Sequence, residues 1–145
     1  MTWGASMNYP FNTTPSRSRN MRAVKASSNT TTELRLRAYL MRNRITGWTL
    51  GARALPGCPD FFFRDRRIAV FVDGCFWHGC PKCGHIPKTN QSYWTKKLAR
   101  NKARDVQVLR ELRSRGILVL RLWECELRWR PNSCLKKLLN MLNFG

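Results

Sequence analysis

Apolar residues in this chain gather into short blocks between basic stretches, and the spacing within each block predicts its element. In "TTTELRLRAYLMRNR" the apolar side chains recur at helical spacing: Leu34, Ala38 and Met41, with Leu36 and Leu40 alongside, supply an apolar face. Thr30 followed by Glu33 has the spacing of a capping box, and the helix is expected to stop before Gly47. "GWTL" predicts a short strand, "ALPGCPD" a loop, "FFF" a short buried strand, "RDRR" a turn and "IAVFVD" a fully buried strand. A cysteine-rich loop follows. Ser92 is expected to cap a long helix that stops at Gly116, with Leu98, Val106, Leu109 and Leu112 turned inward. "ILVLRLW" reads as another buried strand, and a short helix runs from Ser133 to Leu142. Helix, three strands, helix, strand and helix describe an α/β fold, a sheet covered by helices on its faces.

The chain's 145 residues suffice for one domain with a core. Residues 1–29 are rich in Ser, Thr, Asn and Pro with interspersed Arg and Lys, a composition that buries too little surface to order alone. They are expected to form a mobile basic arm, with the folded domain spanning 30–145. A formal charge of +19, from 27 Lys and Arg against 8 Asp and Glu, exceeds what solubility needs and points to a polyanion, nucleic acid first. A membrane partner is set aside, because there is no long apolar run and the basic residues are scattered over several elements. The N-terminus lacks a charged head followed by an apolar stretch, so no secretory signal is expected and the protein should act in the cytoplasm, on the nucleoid. Six cysteines in such a setting are metal ligands or buried thiols more often than disulfides.

The stretch "VFVDGCFWHGCPKCGH", Val70 to His85, concentrates the chemistry. Cys75, Cys80 and Cys83 have the form C-x4-C-x2-C, and Cys125 ends the next predicted strand, so four thiolates can close a structural zinc site; His85 is an alternative ligand. Asp60 follows Pro59 at the mouth of a strand and Asp73 ends the next, so the two carboxylates can meet at the sheet edge and hold a divalent ion against a phosphate. The plain alternative pairs each acid with an arginine. His78 has the right chemistry to take a proton from water near neutral pH, or to serve as a structural group or zinc ligand. Phe76 and Trp77 are either core or a wedge pushed between base pairs.

Taken together, "SRNMRAVKASSNTTTELRLRAYL", "LPGCPDFFF", "VFVDGCFWHGCPKC", "RNKARD" and "VLRLWECEL" resemble the very-short-patch repair (Vsr) mismatch endonucleases from Arg17 to Trp129, with "GCFWH" and "WEC" in this order the most specific blocks. The resemblance implies a type II restriction-endonuclease-like fold, a mixed central sheet flanked by helices, with a structural zinc. It also implies a magnesium-dependent nick in duplex DNA on the 5′ side of the thymine in a T:G mismatch. Carried over by position, it makes Asp60 the metal-bridging carboxylate, with the Val72 backbone as a further magnesium ligand, His78 the general base, and Glu33 the helix glutamate that supports the metal's water. It makes Phe76 and Trp77 the aromatic wedge and Met21 a residue entering the duplex from the opposite groove. Asn101, Arg104 and Asp105 fall in the family's N-x-x-R-D helix motif that supports the site, and Cys75 and Cys125 match zinc ligands.

Two departures stand out. Where some relatives place a histidine before the glycine, this chain has Asp73, which either adds a metal ligand and joins the catalytic set or removes a phosphate contact. Where relatives mix His and Cys in the zinc loop, Cys80 and Cys83 make an all-sulfur set. The expected protein is a monomeric nicking enzyme of mismatch repair, with a MutL-type repair protein and a cytosine-5 methyltransferase as functional partners. Its rivals are a zinc-dependent nucleic-acid-binding protein without catalysis and a restriction or homing-type nuclease acting on intact DNA.

Overall fold

The computed structural model describes residues 31–144. The expected arm over 1–29, Met21 within it and the Thr30 cap lie outside the described residues. The elements are a helix over 31–42 (α1), strands Trp48–Leu50 (β1), Phe61–Phe63 (β2) and Ile68–Asp73 (β3), and a single helical turn Cys75–His78 (α2). Then come helix Gln91–Ser114 (α3), strand Leu118–Trp123 (β4) and helices Glu124–Trp129 (α4) and Pro131–Phe144 (α5).

The four strands form one mixed sheet in the order β1-β2-β3-β4. β1, β2 and β3 pair antiparallel, while β3 and β4 pair parallel, with Phe71 opposite Arg121 and Asp73 opposite Trp123. The parallel pair requires a crossover, and α3 supplies it. β3 is buried along its whole length, as a central strand covered on both faces must be. Alternate residues then serve two cores. Ile68, Val70 and Val72 meet Leu36, Leu40, Leu127 and Leu138 from α1, α4 and α5 on one side; Ala69 and Phe71 meet Leu112 and Val108 from α3 on the other.

Several expectations are corrected. In α1 the buried stripe is Thr32, Leu36 and Leu40, whereas Leu34, Ala38 and Met41 are exposed. Both sets recur at the three- or four-residue spacing of a helix, and the buried one is extended by Thr32, whose hydroxyl approaches Glu124 Oε2 at 3.4 Å. Ser92 does not cap α3. The helix begins at Gln91 behind Asn90, whose positive φ of 56° an asparagine tolerates. Val106 is 48% exposed and Leu109 half-buried. The inward stripe of α3 is instead Trp94, Leu98, Asn101, Asp105, Val108 and Leu112, so two polar residues hold its middle positions. Cys125 lies in α4, a helix not expected; Glu124 and Glu126 in its first turn suit the helix dipole, and Pro131 closes it while opening α5.

Candidate active site and metal centre

The chemistry lies where β3 ends. β2 begins only at Phe61, so the Val72 N–H donates instead to the Asp60 carboxylate, at 2.7 Å from Oδ2. Glu33, from the first turns of α1, reaches the same carboxylate and shares a hydrogen bond with it. Burial first, then that hydrogen bond and the charges of Glu33 and Asp73, push Asp60 up to about 8, against a partial offset from the Val72 N–H. Acids that hold a proton between them are a site short of positive charge, and an all-oxygen donor set suits a hard divalent cation such as magnesium.

On the α3 side of the sheet edge, His78 closes the single turn of α2. Its Nδ1 lies 2.8 Å from Asp105 Oδ2, and its Nε2 lies 3.8 Å from Asp73 Oδ1. An ionised carboxylate only accepts, so Nδ1 donates to Asp105 and Nε2 faces the site. Burial pulls the imidazole's pKa down, but the Asp105 hydrogen bond and the charges of Asp73 and Asp105 outweigh it and hold the value above the ordinary one, with Arg121 opposing. Asn101 donates its Nδ2–H to the Trp77 carbonyl at 2.9 Å, fastening α2 to α3. Arg104 lies on the exposed side of α3.

Asp73 is buried and bound at Oδ2 by Arg121 Nη1 at 2.8 Å. Arg121 projects from β4 on the α3 side, lies over the Phe71 ring at 4.5 Å, and reaches Asp105 Oδ1 at 3.6 Å. Arg121 was not among the residues the sequence singled out. An arginine inside the apolar run "LVLRLW" did carry a clue, because a cation on a partly covered strand is best placed opposite an acid; β4 itself is only half-buried, with Leu118 exposed, where a buried strand was expected.

One turn further along, Cys75, Cys80, Cys83 and Cys125 bring their sulfurs within 4.8 Å of one another, a group that can hold a metal ion. Cys80 and Cys125 lie 3.7 Å apart, close to the separation of about 3.8 Å that tetrahedral sulfurs have at a ~2.3 Å metal bond. The Cys125 N–H points at Cys75 Sγ at 3.3 Å. At Cys80, burial raises the thiol pKa, but the N–H groups of Cys83 and Lys82 outweigh it and bring the value down to about 7. Cys75 is pushed up, by burial first and then by its hydrogen bond with Cys83. Four clustered thiols cannot all ionise alone; a soft cation resolves that conflict. His85 is outside the cluster and Cys58 and Cys134 lie elsewhere. The nearest ring to His85 is Phe76, at 5.9 Å between centroids.

The family of the DNA mismatch endonuclease Vsr matches residues 11–83. The type II nicking enzyme V.NaeI of Lentzea aerocolonigenes is 43% identical over 126 residues, 84% of this chain and 75% of its own. The chain belongs to the Vsr family. The DNA mismatch endonuclease Vsr of Escherichia coli is 38% identical, over 79% of this chain and 72% of its own, and the type II nicking enzyme V.XorIIP of Xanthomonas oryzae is 38% identical over 78% and 83%. Membership makes this a DNA endonuclease whose partner is DNA and whose chemistry calls for a divalent metal. Among the described residues no helix is long and apolar enough to cross a membrane.

The aromatic pair of the Vsr-like loop packs in a cluster. Phe76 and Trp77 meet edge to face at 4.8 Å between centroids, and each also meets Trp94 of α3, at 5.3 and 6.0 Å. Trp77 is 6% exposed and packs as core, while Phe76 is half-buried and reaches the surface.

Proposed function

We propose that this chain nicks duplex DNA on the 5′ side of the thymine in a T:G mismatch, using magnesium at Asp60 and a structural zinc at the four cysteines. The observation that carries the reading is the convergence of Glu33, Asp60, Asp73, His78 and Asp105 on one sheet edge, beside the cysteine group and an aromatic pair. Binding alone needs no such constellation, which weighs against a purely DNA-binding protein.

Asp60 and the Val72 carbonyl would hold the magnesium, which supplies polarisation of the scissile phosphate and relief of charge on the leaving oxygen. Glu33 steadies Asp60. His78 takes the proton from the attacking water through Nε2, and Asp105 accepts the Nδ1–H, orienting the ring and stabilising the imidazolium. The cysteine group anchors Cys75 at the start of the turn that presents His78, so zinc would stiffen the base's support. Phe76, the more exposed ring, leads into the base stack with Trp77 behind it, and a mismatch is the cheaper place to unstack. Met21 would enter from the opposite groove. The enzyme acts as a monomer in the cytoplasm, on nucleoid DNA, downstream of a cytosine-5 methyltransferase and alongside a MutL-type protein. The restriction-endonuclease-like assignment of its mixed sheet belongs to the same reading.

Labelled duplexes differing only in T:G, C:G or T:A at one position test it. Strand-specific nicking of T:G alone, abolished in His78→Ala, is expected. Equal cutting of all three would instead support a nuclease for intact DNA.

A further inference from the structure

Asp73, the last residue of β3, has a charged partner on the neighbouring strand. The carboxylate is buried, with Oδ2 on Arg121 Nη1 at 2.8 Å and Oδ1 at 3.8 Å from His78 Nε2. The second distance is too long for a hydrogen bond, yet near enough that a small rotation would close it. His78 thus stands between two acids, bound at Nδ1 by Asp105 and held just clear of Asp73 at Nε2. The group that differs between the two sides is Arg121. It engages Asp73 directly, reaches Asp105 at 3.6 Å, and is itself fixed by stacking on Phe71 and by the β3–β4 register that sets it opposite that ring.

We propose that Arg121 is a positioning residue for the reaction: it clamps Asp73 away from His78 Nε2, leaving that nitrogen open to the attacking water. Asp73 is then the second half of the clamp and not a metal ligand. Without Arg121, Asp73 Oδ2 loses that partner, and a small rotation of the freed carboxylate would carry Oδ1 from 3.8 Å up against the His78 ring at Nε2. The carboxylate would then stand where the attacking water has to approach.

The inference rests on the reading of His78 as base, and its test separates the two. Arg121→Gln should slow single-turnover nicking of T:G duplex by about a hundredfold, the scale of a misplaced catalytic group, with Kd for DNA within about twofold of wild type. Asp73→Ala combined with Arg121→Gln should recover most of that loss, because no polar side chain remains to fill the approach to Nε2. The chain has only two histidines, so the ring nitrogen signals of His78 are readily assigned by NMR. Those signals should move in Arg121→Gln, as the freed carboxylate comes up against the ring, and return towards their wild-type positions in the double variant. Arg121→Lys, which keeps the charge, covers the case in which the glutamine variant does not fold, and should be impaired less. Equal impairment of the single and double variants, an unchanged Nε2 in Arg121→Gln, or a loss confined to DNA affinity would each overturn the clamp. If the wild-type protein does not nick, the functional reading falls while the NMR comparison still judges the clamp.

Discussion

Replacing Asp60 with asparagine should make the metal-free protein more stable and the metal-loaded protein inactive. An unfolded chain ionises this aspartate near 3.8, whereas in the fold burial, the hydrogen bond with Glu33 and the charges of Glu33 and Asp73 move it to about 8. A group bound to a proton more tightly in the folded state makes folding less favourable as pH rises between the two values, and the cost stays above them. At ~1.4 kcal/mol per tenfold difference, a fully dry site would lose about 4 kcal/mol at neutral pH. Asp60 is half-buried, and solvent screening cuts this to about 1–2 kcal/mol. Asparagine carries no charge to desolvate, its side-chain oxygen still accepts the Val72 N–H, and its amide can donate to Glu33. Urea denaturation in chelator should therefore show Asp60→Asn more stable than wild type by about 1–2 kcal/mol at neutral pH, with the difference vanishing near pH 4. Added magnesium should stabilise wild type alone. If the variant is the less stable one in chelator, or gains as much from magnesium as wild type, the carboxylate cluster is not a strained cation site.

Cys125→Ser should release the metal and lower Tm by about 10 °C or more, because the binding energy of a structural metal is folding energy; metal analysis and a thermal melt check it. DNA binding should weaken with salt at a log-log slope of roughly −5 if about six phosphates are neutralised, and a flat dependence in a titration from low to high salt would detach the +19 charge from DNA. Phe76→Ala should reduce T:G nicking far more than non-specific affinity, and a fluorescent base analogue beside the mismatch should lose its stacking change; Trp77→Ala, by contrast, should cost about 3–5 kcal/mol of stability because the ring is buried among Phe76 and Trp94.

The strands were legible because their signals are local. "FFF" and "IAVFVD" are continuous apolar runs between turn residues, and both became strands within the expected bounds. The cysteine group was legible because three of its members share one loop and the fourth follows a recognisable strand. What escaped was set by tertiary contact. The inward stripe of α3 includes Asn101 and Asp105, so a search for apolar periodicity picked Val106 and Leu109 instead. α4 is six residues long, too short for any period to show. Arg121 is visible only once the β3–β4 register sets it beside Phe71 and Asp73, since 48 residues separate it from its acid.

The single turn from Cys75 to His78 has a consequence for how this chain can vary in length. Cys75 and His78 are three residues apart on one helical turn, so adding or removing a residue there would swing the ring about 100° around the helix axis and empty the Asp105 contact. From His85 to Thr89 the backbone makes no helix or strand and is largely exposed, where an added residue costs little more than loop-closure entropy. Length can therefore vary behind the cysteine group at little cost, whereas between Cys75 and His78 only the side chains are free to change.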